Sequence, residues 1–303
     1  MNLNDVYVSV TGDEAEAIGA LFFYSIQEVK IKREDLAALF DKTGVDKAYL
    51  PKQIRPSDAF RRVTTDHGTK KRVPASGAYQ NYIVREVAAD SKMIVRNIVV
   101  ETVHPDNETL DYESTANKIR FIKEKDGLGT IELNPDPQFP LAKELGEMIK
   151  TEFYNAIQYY ESQQIRTIVM RIINGLLPTP INKGTYLIPP SKIEEMKQLK
   201  NLINELHEDD PAGSFPIFNT ADGIETIHSK FKAELRDALK RCKELERQDA
   251  PKRQLDLAID EARKAGIKYK EYKNHLSTDV TDLDNMLNEL RISAVNLTMM
   301  LTD

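Results

Sequence analysis

"IETIHSKFKAELRDALKRCKEL", residues 224–245, places Ile224, His228, Phe231, Leu235, Ala238, Cys242 and Leu245 at steps of 4, 3, 4, 3, 4 and 3. That spacing is the heptad of helices packed along a shared seam. It returns in Leu255, Ala258, Ala262, Ala265, Tyr269, Tyr272 and Leu276, and again in Val280, Leu283, Leu287, Leu290, Ala294, Leu297 and Leu301. Between Leu276 and Val280 the step is 4 where 3 is due, a stutter or break near Ser277. Gln248-Asp-Ala-Pro251 reads as a turn, with Asp249 capping and Pro251 in the first turn of the next helix. The expectation for residues 221–303 is therefore a heptad-patterned helical hairpin or coiled-coil bundle. Its helix interface would be made by Phe231, Leu235, Leu245, Leu255, Tyr269, Tyr272, Leu283, Leu287, Leu290 and Leu297. Cys242 falls on the seam as a small apolar side chain, and the two tyrosines read as core or interface with wet hydroxyls.

Upstream, residues 138–220 read as a long helix, a short strand and a second helix. Leu141 to Asn174 carries Leu145, Ile149, Phe153, Ile157, Tyr160, Ile168 and Ile172 in one stripe, closed by Gly175 and Pro178. Thr185 to Ile188 is a strand candidate, expected to join the sheet of the first half because lone strands are unstable. A helix from Ser191 to about His207 follows.

Residues 1–137 form the third expected domain, an α+β module. Ala20 to Ile31 reads as a strand, with a buried helix end as the other reading of its apolar run, Lys32 to Lys42 as a helix stopped near Gly44, and Pro56 to Val63 as a short helix with Pro56 in its first turn. Beyond Pro74 the period becomes extended. Tyr79 to Ala88, Lys92 to Val103, Thr109 to Glu113, Asn117 to Lys123 and Gly129 to Leu133 form an antiparallel β-meander, whose clearest turn is Lys125-Asp-Gly127. Met93 to Val100 carries aliphatics on both faces, so this strand is expected to be central and covered on two sides. The fold class is thus α+β.

Composition narrows function by exclusion. With 41% hydrophobic and 30% charged residues the chain has the makings of a folded protein. One cysteine cannot form an internal disulfide, no apolar h-region follows the N-terminal residues, and no apolar run reaches the ~18 residues of a membrane span. A reducing, cytoplasmic setting without membrane contact is the expectation. The net charge of −6 divides evenly, with 19 basic against 22 acidic residues before position 137 and 23 against 26 after it. A protein whose whole surface held polyanions would be basic, so any nucleic-acid site must be local.

No P-loop, Gly-x-Ser-x-Gly elbow or His-Glu-x-x-His motif occurs, and Gly127-Leu-Gly129 lies in a hairpin rather than between strand and helix. His67, His104, His207, His228 and His275 are scattered, and with one cysteine they make no zinc set. His207-Glu-Asp-Asp210 reads as a solvated helix end, and Asp279, Asp282 and Asp284 as a charged first turn. No cofactor, metal or catalytic residue is expected.

Arg55 to Arg72 holds six basic and two acidic residues. Arg61 and Arg62 lie outside Phe60 and Val63 on the short helix, and Lys70-Lys-Arg72 follows on a Gly-containing loop. A short helix, a basic loop and a meander in that order are what winged-helix-like DNA binders use. Arg55, Arg61, Arg62, Lys70, Lys71 and Arg72 are therefore candidate nucleic-acid contacts.

Arg55-Pro-Ser-Asp-Ala-Phe-Arg-Arg62, together with Phe22-Phe-Tyr-Ser-Ile, Arg33-Glu-Asp-Leu and Gly184-Thr-Tyr-Leu-Ile-Pro189, resembles an uncharacterised family of about this length found in phages and bacteria. The likeness spans most of residues 20–245. It implies no activity or catalytic residue, only a mobile-element or host-conflict context. Three functional classes follow. The leading one is a non-enzymatic interaction or scaffolding protein that associates with itself or a protein partner through its C-terminal helices. The alternative is a nucleic-acid binder using the basic segment, and the third an enzyme whose carboxylates converge only in the fold.

Overall fold

A computed structural model describes residues 17–66, 71–75, 78–104, 109–125, 127–209, 211–248, 250–273 and 280–302. In chain order the elements are β1 (Ala17–Tyr24), β2 (Lys30–Lys32), α1 (Arg33–Thr43), α2 (Pro56–Asp66), β3 (Lys71–Ala75), β4 (Ala78–Ala89), β5 (Met93–Val103), β6 (Leu110–Ile122), β7 (Thr130–Pro135), α3 (Pro140–Gln158) and β8 (Tyr159–Glu161). There follow α4 (Ser162–Gly175), β9 (Thr179–Asn182), β10 (Thr185–Ile188), α5 (Ile193–Glu205), β11 (Ala212–Phe218), α6 (Ala221–Leu245), α7 (Lys252–Lys273) and α8 (Thr281–Thr302). The chain is α+β with antiparallel sheets, and it divides into two compact units. One comprises Met1–Val29, Glu34–Leu50 and Glu161–Asp303; the other comprises Lys30–Arg33 and Pro51–Tyr160. No helix among the described residues is long and apolar enough to cross a membrane.

The larger unit is built on a four-stranded sheet of order β11-β1-β10-β9. Thr185 to Ile188 therefore pairs with β1, with Ala20 opposite Ile188, and not with the meander. The expected long strand from Ala20 is two, β1 and β2. One sheet face presents Ile18, Leu187 and Ile217 to α6, α7 and α8, which share a single apolar core with it. Phe231, Leu235, Leu245, Leu255, Tyr269, Tyr272, Leu283, Leu287, Leu290 and Leu297 all lie in that core. On the opposite face Phe22 and Ile188 are buried, and Tyr24 donates to Met170 Sδ of α4 at 3.1 Å. The second heptad position departs from expectation: Ile227 is buried beside it, and His228 turns toward the rim. The stutter near Ser277 lies outside the described residues.

The expected helix from Leu141 to Asn174 is broken into α3 and α4 by the extended Tyr159-Tyr-Glu161. Both helices are amphipathic, so the apolar stripe runs through the break unseen. Aromatic residues tolerate extended backbone, and here they gain cation–π partners: Lys30 lies 4.7 Å from the Tyr159 ring and the Arg33 guanidinium 4.1 Å from Tyr160. The helix restarts where Gln164 Oε1 accepts from the Glu161 backbone N–H at 2.9 Å.

In the smaller unit the sheet runs β3-β4-β5-β6-β7, a meander with β5 at its centre. Helices α2 and α3 cover one face, where Phe60, Phe121 and Phe153 form an aromatic cluster with centroids 5.2 to 6.4 Å apart. On the other face Val99 is buried but Met93 and Val95 are only half-buried, so two-sided cover is partial. The expected pair of strands between Thr109 and Lys123 is one strand, β6, whose register skips between Val100–Glu113 and Ile98–Asn117. Ser114-Thr-Ala116 reads as a turn by composition but is absorbed as a bulge, held where Asn97 Nδ2 donates to Ser114 O at 2.9 Å. The positive φ of the β6–β7 hairpin falls on Gly129 (74°), not Gly127; Asp126 lies outside the described residues. A Cβ at Gly129 would stand 2.5 Å from the Phe121 ring, so glycine is required twice over there.

Candidate functional site

The basic segment divides on folding. In α2, Ala59, Phe60, Val63 and Thr64 face inward, which leaves Arg61 and Arg62 exposed. Arg55 Nε donates to Asp58 Oδ2 at 2.8 Å, and Arg61 Nη1 reaches Asp58 Oδ1 at 3.4 Å. Such surface pairs contribute about 0–1 kcal/mol to stability, but one carboxylate between two guanidiniums weakens the local positive field. Lys71 and Arg72 stand in β3, an edge strand, where a loop was expected; Pro74 suits an edge because it has no N–H for a second neighbour. Lys70 and the side chains of Lys71 and Arg72 lie outside the described residues.

The ten helix-interface residues are brought together, and they face one another within one chain. Two charged clusters tie the same helices. At the start of α8, His228 Nε2 lies 3.2 Å from Asp282 Oδ1, and Lys232 on α6 donates to Asp282 Oδ2. From α7, the Tyr269 hydroxyl donates to Asp284 Oδ1 at 2.5 Å and Lys273 Nζ at 2.9 Å. Acids in a first turn favour the helix dipole, and here they also fasten α8 to both neighbours. Asp279 lies outside the described residues.

The Lys232 hydrogen bond holds the Asp282 carboxyl below the usual range, opposed next by burial and supported after it by His228. The Tyr269 and Lys273 hydrogen bonds do the same for Asp284. A folded-state pKa below the unfolded value of ~3.9 means that this stabilisation is complete above that value and is lost as pH falls through the lowered folded one. The double variant Asp282→Asn/Asp284→Asn should therefore melt below wild type at about pH 7, and the gap should close towards about pH 2, as thermal melts across that range would record. A gap independent of pH would remove the clamp from the account.

The second cluster is buried. Lys268 Nζ on α7 donates to Glu234 Oε1 on α6 and to Pro178 O, while Thr179 Oγ1 donates to Glu234 Oε2 at 2.9 Å. The Tyr272 hydroxyl is buried with no hydrogen-bond partner among the described residues, and burial, then Glu234, pushes its pKa up.

Among the described residues no group of three or more His, Cys, Asp or Glu is placed to hold a metal ion. His104 pairs with Asp111 at 2.7 Å; burial lowers the His207 pKa; His67 and His275 lie outside the described residues. Cys242 is buried, and burial followed by Glu246 raises its thiol pKa, the reverse of what a nucleophile needs. A cavity of about 110 Å³ between Tyr49, Gly175, Lys192 and Glu195 is smaller than the ~300 Å³ of ordinary ligand sites.

What the sequence reading missed is the outer face of α8. Ile292, Val295 and Met299, at steps of 3 and 4, are 62%, 52% and 60% exposed, and Ile292–Thr302 contains no charged residue. The signal was present in the missing charges; the heptad drew attention to the inner face instead.

A family described as "Family of unknown function (DUF6744)" matches residues 17–303, and the chain belongs to it. No curated protein and no solved structure matches the chain.

Proposed function

We propose that this family member acts without covalent chemistry, as an interaction or scaffolding protein that pairs with a second copy of itself through the outer face of α8. The observation that carries this reading is the exposure of Ile292 and Val295 on a helix whose inner face is already filled by Leu283, Leu287, Leu290 and Leu297. Exposed apolar side chains that recur on one helix face favour contact with another apolar surface. A second copy fits because the stripe is uncharged, so that like faces meet without repulsion. The 4-3 repeats are read as a coiled-coil-like seam closed within the chain, which leaves the opposite surface for assembly. The same reading keeps the protein in a reducing, cytoplasmic setting and a mobile-element context, supported by the single thiol and by the sequence motifs quoted above.

So narrow a stripe buries less than the ~800 Å² per partner of a stable interface, so the pairing should be roughly micromolar or weaker. Light scattering on the full chain should show mass rising with concentration from 34.5 kDa towards twice that value. Ile292→Glu/Val295→Glu should hold it at the monomer, while Leu257→Glu, an exposed site on α7, should not. Constant monomer mass for wild type, or unchanged pairing in the double variant, would overturn the reading.

A further inference from the structure

The registers of the meander align side chains that are far apart in sequence. Arg85 stands opposite Asn97, Asn97 opposite Lys118, and Lys118 opposite Asn134, one row across β4, β5, β6 and β7. The next row on the same face is Val95, Arg120 and Glu132, and the next Met93, Ile122 and Thr130. Directly opposed residues share a face, and strands lie about 4.8 Å apart, so Arg85 and Lys118 are separated by about 10 Å and Lys118 and Arg120 by about 7 Å along one strand. This is the face away from α2 and α3, whose contacts are with Ile94, Ile98, Ile119 and Phe121. A depression of about 410 Å³ lies on it, with Met93, Val95 and Ile122 as its apolar lining and Lys118, Arg120 and Glu132 as its charged lining.

These cations are less neutralised than those of α2. Arg85 is exposed, and neither it nor Lys118 has an ion pair among the described residues. Arg120 is about half exposed, and its carboxylate neighbour Glu132 is 3.9 Å away. Glu132 is the acid beside Arg120, and Glu124 Oε1 accepts from Thr130 at the margin. Two of the three cations here have no ion pair among the described residues, against one, Arg62, of the three on α2, where Arg55 and Arg61 share the carboxylate of Asp58.

We propose that this open face of the meander binds single-stranded nucleic acid, with Arg85, Lys118 and Arg120 on its phosphates and bases lying on Met93, Val95 and Ile122. The depression combines cations with apolar floor, and a nucleotide offers an anion and a flat π-face in each repeat. An extended peptide would dock instead at a sheet edge through main-chain hydrogen bonds, and β5 and β6 are interior strands whose ladders are already used. A duplex hides the base faces that the apolar floor would take.

The test is fluorescence anisotropy of the full chain with a labelled single strand of about 12 nucleotides, starting at about 50 mM salt. Wild type should bind, and log affinity should fall with log salt at a slope of about −2, as expected for three phosphate contacts on a single strand. Lys118→Gln/Arg120→Gln should weaken binding about tenfold or more, Lys118→Arg/Arg120→Lys should retain it, and Arg61→Gln/Arg62→Gln should change it by less than about twofold. All the substituted side chains are at least partly exposed, and an unchanged circular dichroism spectrum would establish folding of each variant. No binding by wild type at low salt, loss only with the α2 variant, or equal displacement of the strand by polyglutamate would overturn the proposal.

Discussion

Glu234→Gln is expected to destabilise the larger unit by about 3–5 kcal/mol, because it leaves the Lys268 ammonium buried without its counter-charge. The Lys268 side chain is only 8% exposed, against 23% for Glu234. A surface pair in the same chain, such as Lys42 with Glu205 at 2.6 Å, should contribute less than about 1 kcal/mol, because both ends stay hydrated. Desolvation of two charges is repaid inside a protein only by good geometry, and here Pro178 O and Thr179 Oγ1 add one further hydrogen bond to each ion. The pair joins α6 to α7 and, through Pro178 and Thr179, to the start of β9. Glu234→Leu/Lys268→Met removes both charges together and should cost far less than the single change, down to nothing. Urea unfolding of Glu234→Leu, Lys268→Met and the double variant completes the cycle. If the double variant loses the sum of the singles, the pair is not coupled and the prediction fails.

Phe121→Ala should cost the smaller unit about 3–5 kcal/mol, the range for deleting a buried aromatic ring. Phe121 is the middle of three rings: 5.2 Å from Phe60 on α2 and 5.3 Å from Phe153 on α3. Its removal opens a cavity where two helices and the sheet meet, and Gly129, whose absent Cβ makes room for the ring, offers nothing to fill it. Phe215→Ala provides the contrast. That ring also stacks, 5.7 Å from Phe23, but it is 39% exposed, so its loss should cost roughly 1 kcal/mol. Equal losses from the two substitutions, measured by chemical denaturation, would show that the aromatic cluster is not the keystone of its unit.

Helix positions were legible because a burial stripe at 3.6-residue spacing survives whatever the helix packs against. Residues 221–245, 252–273 and 281–302 are helices where the repeats placed them, and Leu283, Leu287, Leu290 and Leu297 face inward as the period requires. The break at Tyr159 was illegible for the same reason, since Ile157 and Ile165 keep the stripe going on both sides of it. The strands β1, β4 to β7 and β10 were legible from β-branched runs, whereas β3, β8, β9 and β11 were not. The single course of β6 was not, because a bulge and a turn draw on the same small polar residues, and Asn97 decides between them from the neighbouring strand.

The candidate sites divide along the same line. The cations of Arg55 to Arg62 are adjacent in sequence and were found at once, whereas Arg85, Lys118 and Arg120 come from strands whose register had to be known first. The amino-acid sequence by itself determined the α+β class, the inward stripe of the last three helices apart from His228, and the want of any nucleotide, metal or nucleophile motif, because these depend on local periodicity and on residue chemistry. Only the tertiary structure decided that Thr185 to Ile188 joins β1, that Asp282 and Asp284 meet residues of two other helices, and that the leucine repeats close within one chain. Side-chain alternation says which face of an element must be buried. It carries no record of which distant face will do the burying, since that choice is made by competition among all the apolar surfaces of the chain at once.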